Sequence, residues 1–513
     1  MKLYYFFLVF IFSQSQISVY AQTTVIDSSF GINGVTITDI DSGIDKIYQI
    51  LLQPDGKIIA TGYAETSGTF DFALARFNSD GTLDNTFNGD GKLTTAFGND
   101  KDKSYTMALQ PDGKIIAAGS TWTNLNFDFA MARYLQNGNP DSTFGTNGKV
   151  IATPSQFTDA CYAICLQPDG KILSAGYSGT LMAVMRFLTS GITDSTFGIN
   201  GVVKTEVETN FNKAHAIQLQ PDGKIIVAGN ANNNHDSEFA IVRYLQNGLP
   251  DSSFGIAGIV RCDIDTADDI IYNLALQPDG KLIITGATQT ALNTDFVVAR
   301  YYPDGTPDST FNNNGFNIFS FSNDDDEPYS VFIQPDGKII VAGSSIENNN
   351  RRFAVARLSV DGIPDSTFGI NGQLVNLIGT NDYCYSAIQQ SDNKIVVAGF
   401  SNNGSNTDFT LFRIMEVSAT TIHSSVDSNK SFKVFPNPAA YYFSLNISEW
   451  KNASANIELY DLSGRKIFQS DVSDFENEKT FTINLPASIA SGFYCGLISS
   501  TQLEKHFRLI VIR

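Results

Sequence analysis

Short runs of alternating apolar and polar residues, broken by glycine-bearing turns, fill most of the chain, and one set illustrates the rest. Tyr105, Met107 and Leu109 alternate with polar neighbours up to Gln110-Pro111-Asp112-Gly113, and Lys114 to Ala118 follow as a second apolar run. Proline presets φ, aspartate tolerates the turn and glycine supplies φ > 0, so this stretch predicts a β-hairpin. A third run, Phe129 to Leu135, leads through a turn-rich segment, Asn137 to Gly148, into a fourth, Lys149 to Thr153. Four antiparallel strands in succession predict one blade of a β-propeller.

The unit repeats. Gln-Pro-Asp-Gly-Lys starts at Gln53, Gln110, Gln167, Gln220, Gln277 and Gln334 and decays to Gln-Ser-Asp-Asn-Lys at Gln390. Successive starts lie 57, 57, 53, 57, 57 and 56 residues apart, a period that marks a supersecondary unit stacked on its neighbours. A second segment of the type Asp-Ser-Thr-Phe-Gly starts at Asp27, Asp84, Asp141, Asp194, Asp251, Asp308 and Asp365. Its phase is shifted, with one copy before the first Gln-Pro-Asp-Gly-Lys and none after the last. The segment from about Ser28 to Thr38 is therefore expected to supply the outer strand of the blade whose other three strands end near Val417, closing the ring and hiding its edges. The expected fold is all-β, a seven-bladed β-propeller of four-stranded blades closed by N-terminal strand exchange. Arg76, Arg133, Arg186, Arg243, Arg300, Arg357 and Arg413 recur in the third strands, each matched to one of the segment aspartates, with Asp27 left for Arg413. Because they occur in every blade, a structural Arg–Asp pair is expected in preference to a charged binding surface.

Charge narrows the partners. The 34 basic residues are outnumbered by 53 acidic ones, for a net charge of −19, and no Lys/Arg cluster is present, so nucleic acid is not an expected partner. Met1 to Ala21 carries an early Lys2, an apolar core from Leu3 to Phe12 and a small-residue site at Val19-Tyr20-Ala21, the pattern of a secretory signal peptide. Its apolar core is too short to span a bilayer, and no other stretch qualifies, so no transmembrane segment is expected in the mature chain. The five cysteines, Cys161, Cys165, Cys262, Cys384 and Cys495, have no disulfide-framework spacing and are expected to be free thiols.

Candidate chemistry lies where the repeats differ. The two hairpin types share one face of the disc and hardly vary. The opposite face carries the loops between second and third strands, such as Tyr63 to Phe70 and Phe400 to Thr407, and these vary freely, as recognition loops on a rigid scaffold do. The inner strands start Asp-x-x-Tyr on that face, with Asp45, Asp102, Asp159, Asp269, Asp326 and Asp382 each followed three residues on by tyrosine; the fourth repeat has Asn212 and His215 instead. Two readings stand. In one, these residues form a ligand-facing collar at the channel mouth, oxygen-rich enough for Ca²⁺. In the other, each aspartate caps its crossover turn and each tyrosine packs between blades. No catalytic residue, cofactor site or metal-ligand spacing is identified: the four histidines form no His-x-x-x-His pattern and there is no Cys-x-x-Cys. The acidic run Asp324 to Glu327 reads as a solvated loop.

Two resemblances follow from these motifs. The region from residue 22 to 417 is similar to the delta-60 repeat family through its Gln-Pro-Asp-Gly-Lys and Asp-Ser-Thr-Phe-Gly segments, which implies a β-propeller. Residues 418–430 read as a polar linker. From Ser431 to Arg513, Val434-Phe435-Pro436-Asn437-Pro438, Ile457 to Arg465, Leu485-Pro486, Gly492-Phe493-Tyr494 and Arg508 to Ile512 resemble, in order, the C-terminal sorting domain (type A) of type IX secretion cargo. That resemblance implies a small β-sandwich, recognition by the type IX machinery, and passage through the periplasm to the medium or the outer-membrane surface. The expected function is a secreted or surface-displayed propeller that binds an extracellular glycan or protein; the alternatives are a polysaccharide hydrolase or lyase, or a structural surface component.

Overall fold

A computed structural model describes residues 23–417, apart from loop positions 99, 124, 234, 265–266 and 291–292, together with the strands between 432 and 511. The expected signal peptide and linker lie outside the described residues. The chain divides into two compact units, one up to Ala419 and one from Thr420.

In the first unit the Gln-Pro-Asp-Gly-Lys segments form the hairpins their residues predict. Gln53 and Lys57 close the first turn through an N–H···O bond of 2.8 Å, and Gly56 sits at φ 84°, where a side chain would be strained. The first blade comprises Asp45–Leu52, Ile58–Thr66, Thr69–Phe77 and Lys92–Thr95, each antiparallel to the next, and five more sheets follow the same order. Second strands are buried almost end to end because both sheet faces are covered, so they read as continuous apolar runs such as Ile58 to Ala64. The cores accordingly lie between blades: Ile116, Phe129 and Phe144 of the second pack against Cys161, Ile164 and Ile172 of the third.

The seventh sheet closes the ring. Its strands Asp382–Gln389, Ile395–Asn402 and Thr407–Val417 are completed by the N-terminus, with Val35–Thr38 pairing to Phe409–Phe412 as expected. An additional strand, Thr23–Ile26, pairs with Ile414–Val417. In the other blades a short hairpin joins the third strand to its segment aspartate; here that hairpin is cut at the tip, so both limbs run on and pair. Inner strands touch in sequence around the axis, and the seventh touches the first.

The recurrent charges form a clamp. Arg186 Nε lies 2.8 Å from Asp194 Oδ2, Lys171 Nζ of the Gln-Pro-Asp-Gly-Lys turn approaches the same oxygen at 3.4 Å, and the Thr196 hydroxyl donates to Oδ1 at 2.6 Å. Arg186 Nη1 donates to the Gln246 carbonyl of the next blade (2.6 Å), and its guanidinium lies 4.7 Å from the Phe197 ring centroid. The Thr196 hydroxyl, against the cost of burial, and then the Thr196 amide, Arg186 and Lys171 hold the Asp194 carboxyl down to about 2. The arrangement recurs across the ring closure, where Arg413 Nε donates to Asp27 Oδ2 at 2.8 Å and Lys394 stands 3.0 Å from it. Cys161, Cys165, Cys262 and Cys384 are free thiols. The Cys495 side chain lies outside the described residues.

The second unit holds two antiparallel sheets. One contains Phe432–Phe435, Tyr442–Ile447 and Thr480–Asn484; the other contains Lys466–Val472, Ala455–Tyr460, Gly492–Ser499 and Glu504–Val511. Phe443, Leu445, Ile457, Leu459, Ile483, Ile498 and Leu509 form one buried core between them, a small β-sandwich.

Candidate functional site

Each inner strand carries a β-bulge, and in all seven the residue left out of register is the one three positions after the initial Asp or Asn. In the first blade Ile47 pairs with Gly62 and Gln49 with Thr61, leaving Tyr48 without a partner; in the fourth the displaced residue is His215. The second-strand glycine makes this possible, because a Cβ on Gly62 would fall 1.7 Å from the Lys46 carbonyl oxygen.

The bulges bring the displaced side chains together on the axis. Tyr48, Tyr105, Tyr162, His215, Tyr272, Tyr329 and Tyr385 form a closed cycle in which neighbouring ring centroids lie 4.5 to 5.7 Å apart. The rings are tilted or edge-to-face except Tyr162 and His215, which stack at an interplanar angle of 26°, so the centre is a plug of side chains. Burial raises the tyrosine hydroxyls, Tyr105 to about 12. Burial, then the charge of Lys213, lowers His215 to about 4 against its hydrogen bond to Asn230 Oδ1 (3.2 Å), so this imidazole is neutral.

The residues expected to form an acidic collar are buried side chains in this geometry. Asp45, Asp102, Asp159, Asn212, Asp269, Asp326 and Asp382 are buried, each at 1 % exposure or less. They tie down crossover backbone. Asp45 accepts from Ile40 N, Asp102 from Phe97 N, Asp269 from Ile264 N and Asp382 from Ile378 N, each at 2.6 Å; Asp326 accepts from Phe321 N at 2.7 Å. Asp159 takes both the amide and the hydroxyl of Ser155, and Asn212 accepts from Glu208 N while donating to Thr180, Glu208 and Asn210 carbonyls. A carboxylate aimed at backbone N–H groups meets an obligatory donor, and that outcompetes solvent exposure here. The acidic run is no simple solvated loop either, since Asp325 accepts from Thr294 N and Glu327 binds Arg351 Nη1 at 2.6 Å.

The residues that do stand around the axis on the crossover side follow directly after those caps. Lys46 lies 4.5 Å from the Phe400 ring centroid, Lys103 4.8 Å from Tyr63 and 5.1 Å from Phe70, and Lys213 4.9 Å from Phe211 and 5.7 Å from Tyr177. Arg351 lies 4.7 Å from the Tyr383 ring. Lys46, Lys103 and Lys213 are half-buried, and burial lowers the pKa of each. Among the described residues none of the three makes an ion pair, although the chain is strongly acidic. Sequence reasoning passed over them because it weighed the residues that repeat; Lys46, Lys103 and Lys213 occur in three repeats only. On the opposite face a groove of about 480 Å³ is lined by turn and clamp residues such as Gln390, Lys394 and Arg413, whose counterparts recur around the ring.

The fold and its axis define a seven-bladed β-propeller followed by a separate β-sandwich. The chain carries seven repeats of the family described as a domain of unknown function (DUF5122) β-propeller, at residues 53–87, 110–144, 167–197, 220–254, 277–311, 334–368 and 390–417. It ends in a secretion system C-terminal sorting domain, residues 433–513, which marks it as type IX cargo exported through the periplasm to the cell surface or beyond. The delta-60 repeat resemblance is the same propeller family under another description. No curated protein matches the chain. Solved structures resemble it at low identity: Sqt1 from Chaetomium thermophilum (13 % identity, 75 % of this chain and 100 % of that one, TM-score 0.37), the polysaccharide lyase Uly1 (10 %, 79 % and 94 %, 0.42) and the GH43 endo-arabinanase from Bacillus licheniformis (12 %, 50 % and 92 %, 0.28). Likenesses this loose carry no argument about function. No helix among the described residues is long and apolar enough to cross a membrane.

Proposed function

We propose that the exported propeller binds an extracellular glycan bearing anionic groups, with the crossover end of its axis as the contact surface. The observation behind this reading is the set of three half-buried lysines resting on aromatic rings with no carboxylate partner. An ammonium kept partly desolvated and unpaired interacts strongly with an incoming anion, and the exposed parts of Phe70, Tyr177, Phe211 and Tyr383 offer flat apolar surface to sugar rings. Three such cations within a seven-fold frame also make the surface asymmetric, as a specific site requires.

The test is binding of the purified mature protein to polyuronates and sulfated polysaccharides against neutral glucans, with sugar chain length measured afterwards. Retention on the acidic polymers, lost in the Lys46→Gln/Lys103→Gln/Lys213→Gln variant, is the expected result. Equal retention of the triple variant, or binding confined to neutral polymers, defeats the proposal. Shortened chains would turn the reading toward a hydrolase or lyase.

A further inference from the structure

We propose that Asp39, Asp45 and Asp408 hold a hard divalent cation of the Ca²⁺ class at the seam where the ring closes. Each offers a carboxylate oxygen to one point, the three within 4.8 Å of one another, and they come from the N-terminal closing segment, the inner strand of the first blade and the third strand of the seventh. Asp45 is fully buried and Asp408 is 6 % exposed, and the Oδ1 atom of each has no hydrogen-bond partner. Their other oxygens are used, Asp45 Oδ2 by Ile40 N and Asp408 Oδ2 by Asn403 Nδ2, while Asp39 Oδ1 accepts from Ser42 N. The nearby Lys92 ammonium donates to the backbone carbonyls of Asp39 and Ile40 and makes no ion pair with these carboxylates. Buried carboxylates facing one another are costly unless one takes up a proton or a cation lies between them.

Comparison with the other seams sharpens this. Cross-strand pairing puts a hydroxyl residue opposite the capping aspartate in five blades: Thr121 opposite Asp102, Ser178 opposite Asp159, Thr288 opposite Asp269, Ser345 opposite Asp326 and Ser401 opposite Asp382. Thr121 Oγ1 donates to Asp102 Oδ1 at 2.5 Å. Two blades have alanine there instead. In the fourth, Ala231 faces Asn212 and the charge is gone; in the first, Ala64 faces Asp45, the charge remains, and two further carboxylates converge on it. At the seam between the fifth and sixth blades Asp326 Oδ1 is also without a hydrogen-bond partner, with the charges of Asp295 and Asp325 nearby, but among the described residues Asp39, Asp45 and Asp408 are the group of three whose carboxylate oxygens come within 4.8 Å of one another. Hard divalent cations take such all-oxygen sites, with waters and carbonyls completing the shell.

The inference is independent of glycan binding. Its test uses the purified mature protein, stripped with chelator and titrated with CaCl₂, MgCl₂ or MnCl₂ by calorimetry and thermal unfolding. One bound cation per chain and a midpoint raised by several degrees are expected for the wild type. Asp39→Asn, a change at an exposed position, should weaken binding about tenfold or more through loss of one ligand charge. Ala64→Thr supplies the missing hydroxyl and should abolish the metal response while leaving the ring folded. No metal response in the wild type, or wild-type binding by both variants, overturns the proposal.

Discussion

The two ends of the propeller axis obey different rules. On the face of the Gln-Pro-Asp-Gly-Lys turns, each blade supplies the same lysine, arginine and aspartate, and the clamps repeat even where the chain's two ends meet. On the crossover face the buried caps repeat, but the positions next to them hold lysine in three blades and Ala160, Ile270, Glu327 and Tyr383 in the others. The clamp resists change because one buried carboxylate gathers the arginine and lysine of its blade, and the same guanidinium reaches a backbone carbonyl of the next blade. The crossover positions bear no such joint load, so their chemistry is free to differ.

Four substitutions test that contrast, in descending order of expected effect. Arg243→Met leaves the Asp251 carboxylate buried beside Lys224 alone; removing one partner of a buried pair costs about 3–5 kcal/mol, measurable by denaturant unfolding. Gly229→Ala places a Cβ 2.0 Å from the Lys213 carbonyl oxygen, and the overpacking should cost about 1–3 kcal/mol and disturb the aromatic cycle, visible in near-ultraviolet circular dichroism. His215→Tyr restores the residue of the other six blades. The folded-state value of His215, about 4, lies below its unfolded value, so its stabilising contribution is present above the unfolded pKa and is lost as pH falls toward 4. The variant should therefore unfold less readily than wild type at pH 4 to 5 and match it at pH 8. Further acidification should weaken both proteins as the clamp carboxylates, held low in the fold, take up protons toward pH 2. Last, Lys103→Gln should change stability by about 0.5–1 kcal/mol or less, the scale of a cation–π contact. A loss as large as that of Arg243→Met would erase the distinction between the two faces.

The blade count, the strand order and the joining of the ends were legible because turn chemistry is local: proline, aspartate and glycine in Gln-Pro-Asp-Gly-Lys specify a hairpin wherever they stand. The Arg–Asp pairing was legible for a related reason, since both partners recur at a fixed offset. The axis was not. Whether Asp45 or Lys46 looks toward ligand depends on strand register, and register is reset at Tyr48 by a bulge whose cause sits on the neighbouring strand. A signal did exist, since Gly62, Gly119, Gly176, Gly229, Gly286, Gly343 and Gly399 recur within second strands, where glycine marks close backbone approach. The added strand Thr23–Ile26 went unread because its partner, Ile414–Val417, has no counterpart in the other six blades.

The joining of Asp27 to Arg413, 386 positions apart, also sets an order of events. A chain that crosses a membrane from its N-terminus must keep its first strands waiting until almost all of the propeller has arrived. Closing a loop of that length carries an entropic cost on the order of 5 kcal/mol, which makes the last docking step slow in relation to the formation of single blades. Until then the seventh sheet shows a bare edge to other chains in the periplasm. Because the sorting domain follows Val417 in the chain, it trails every strand needed to close the ring.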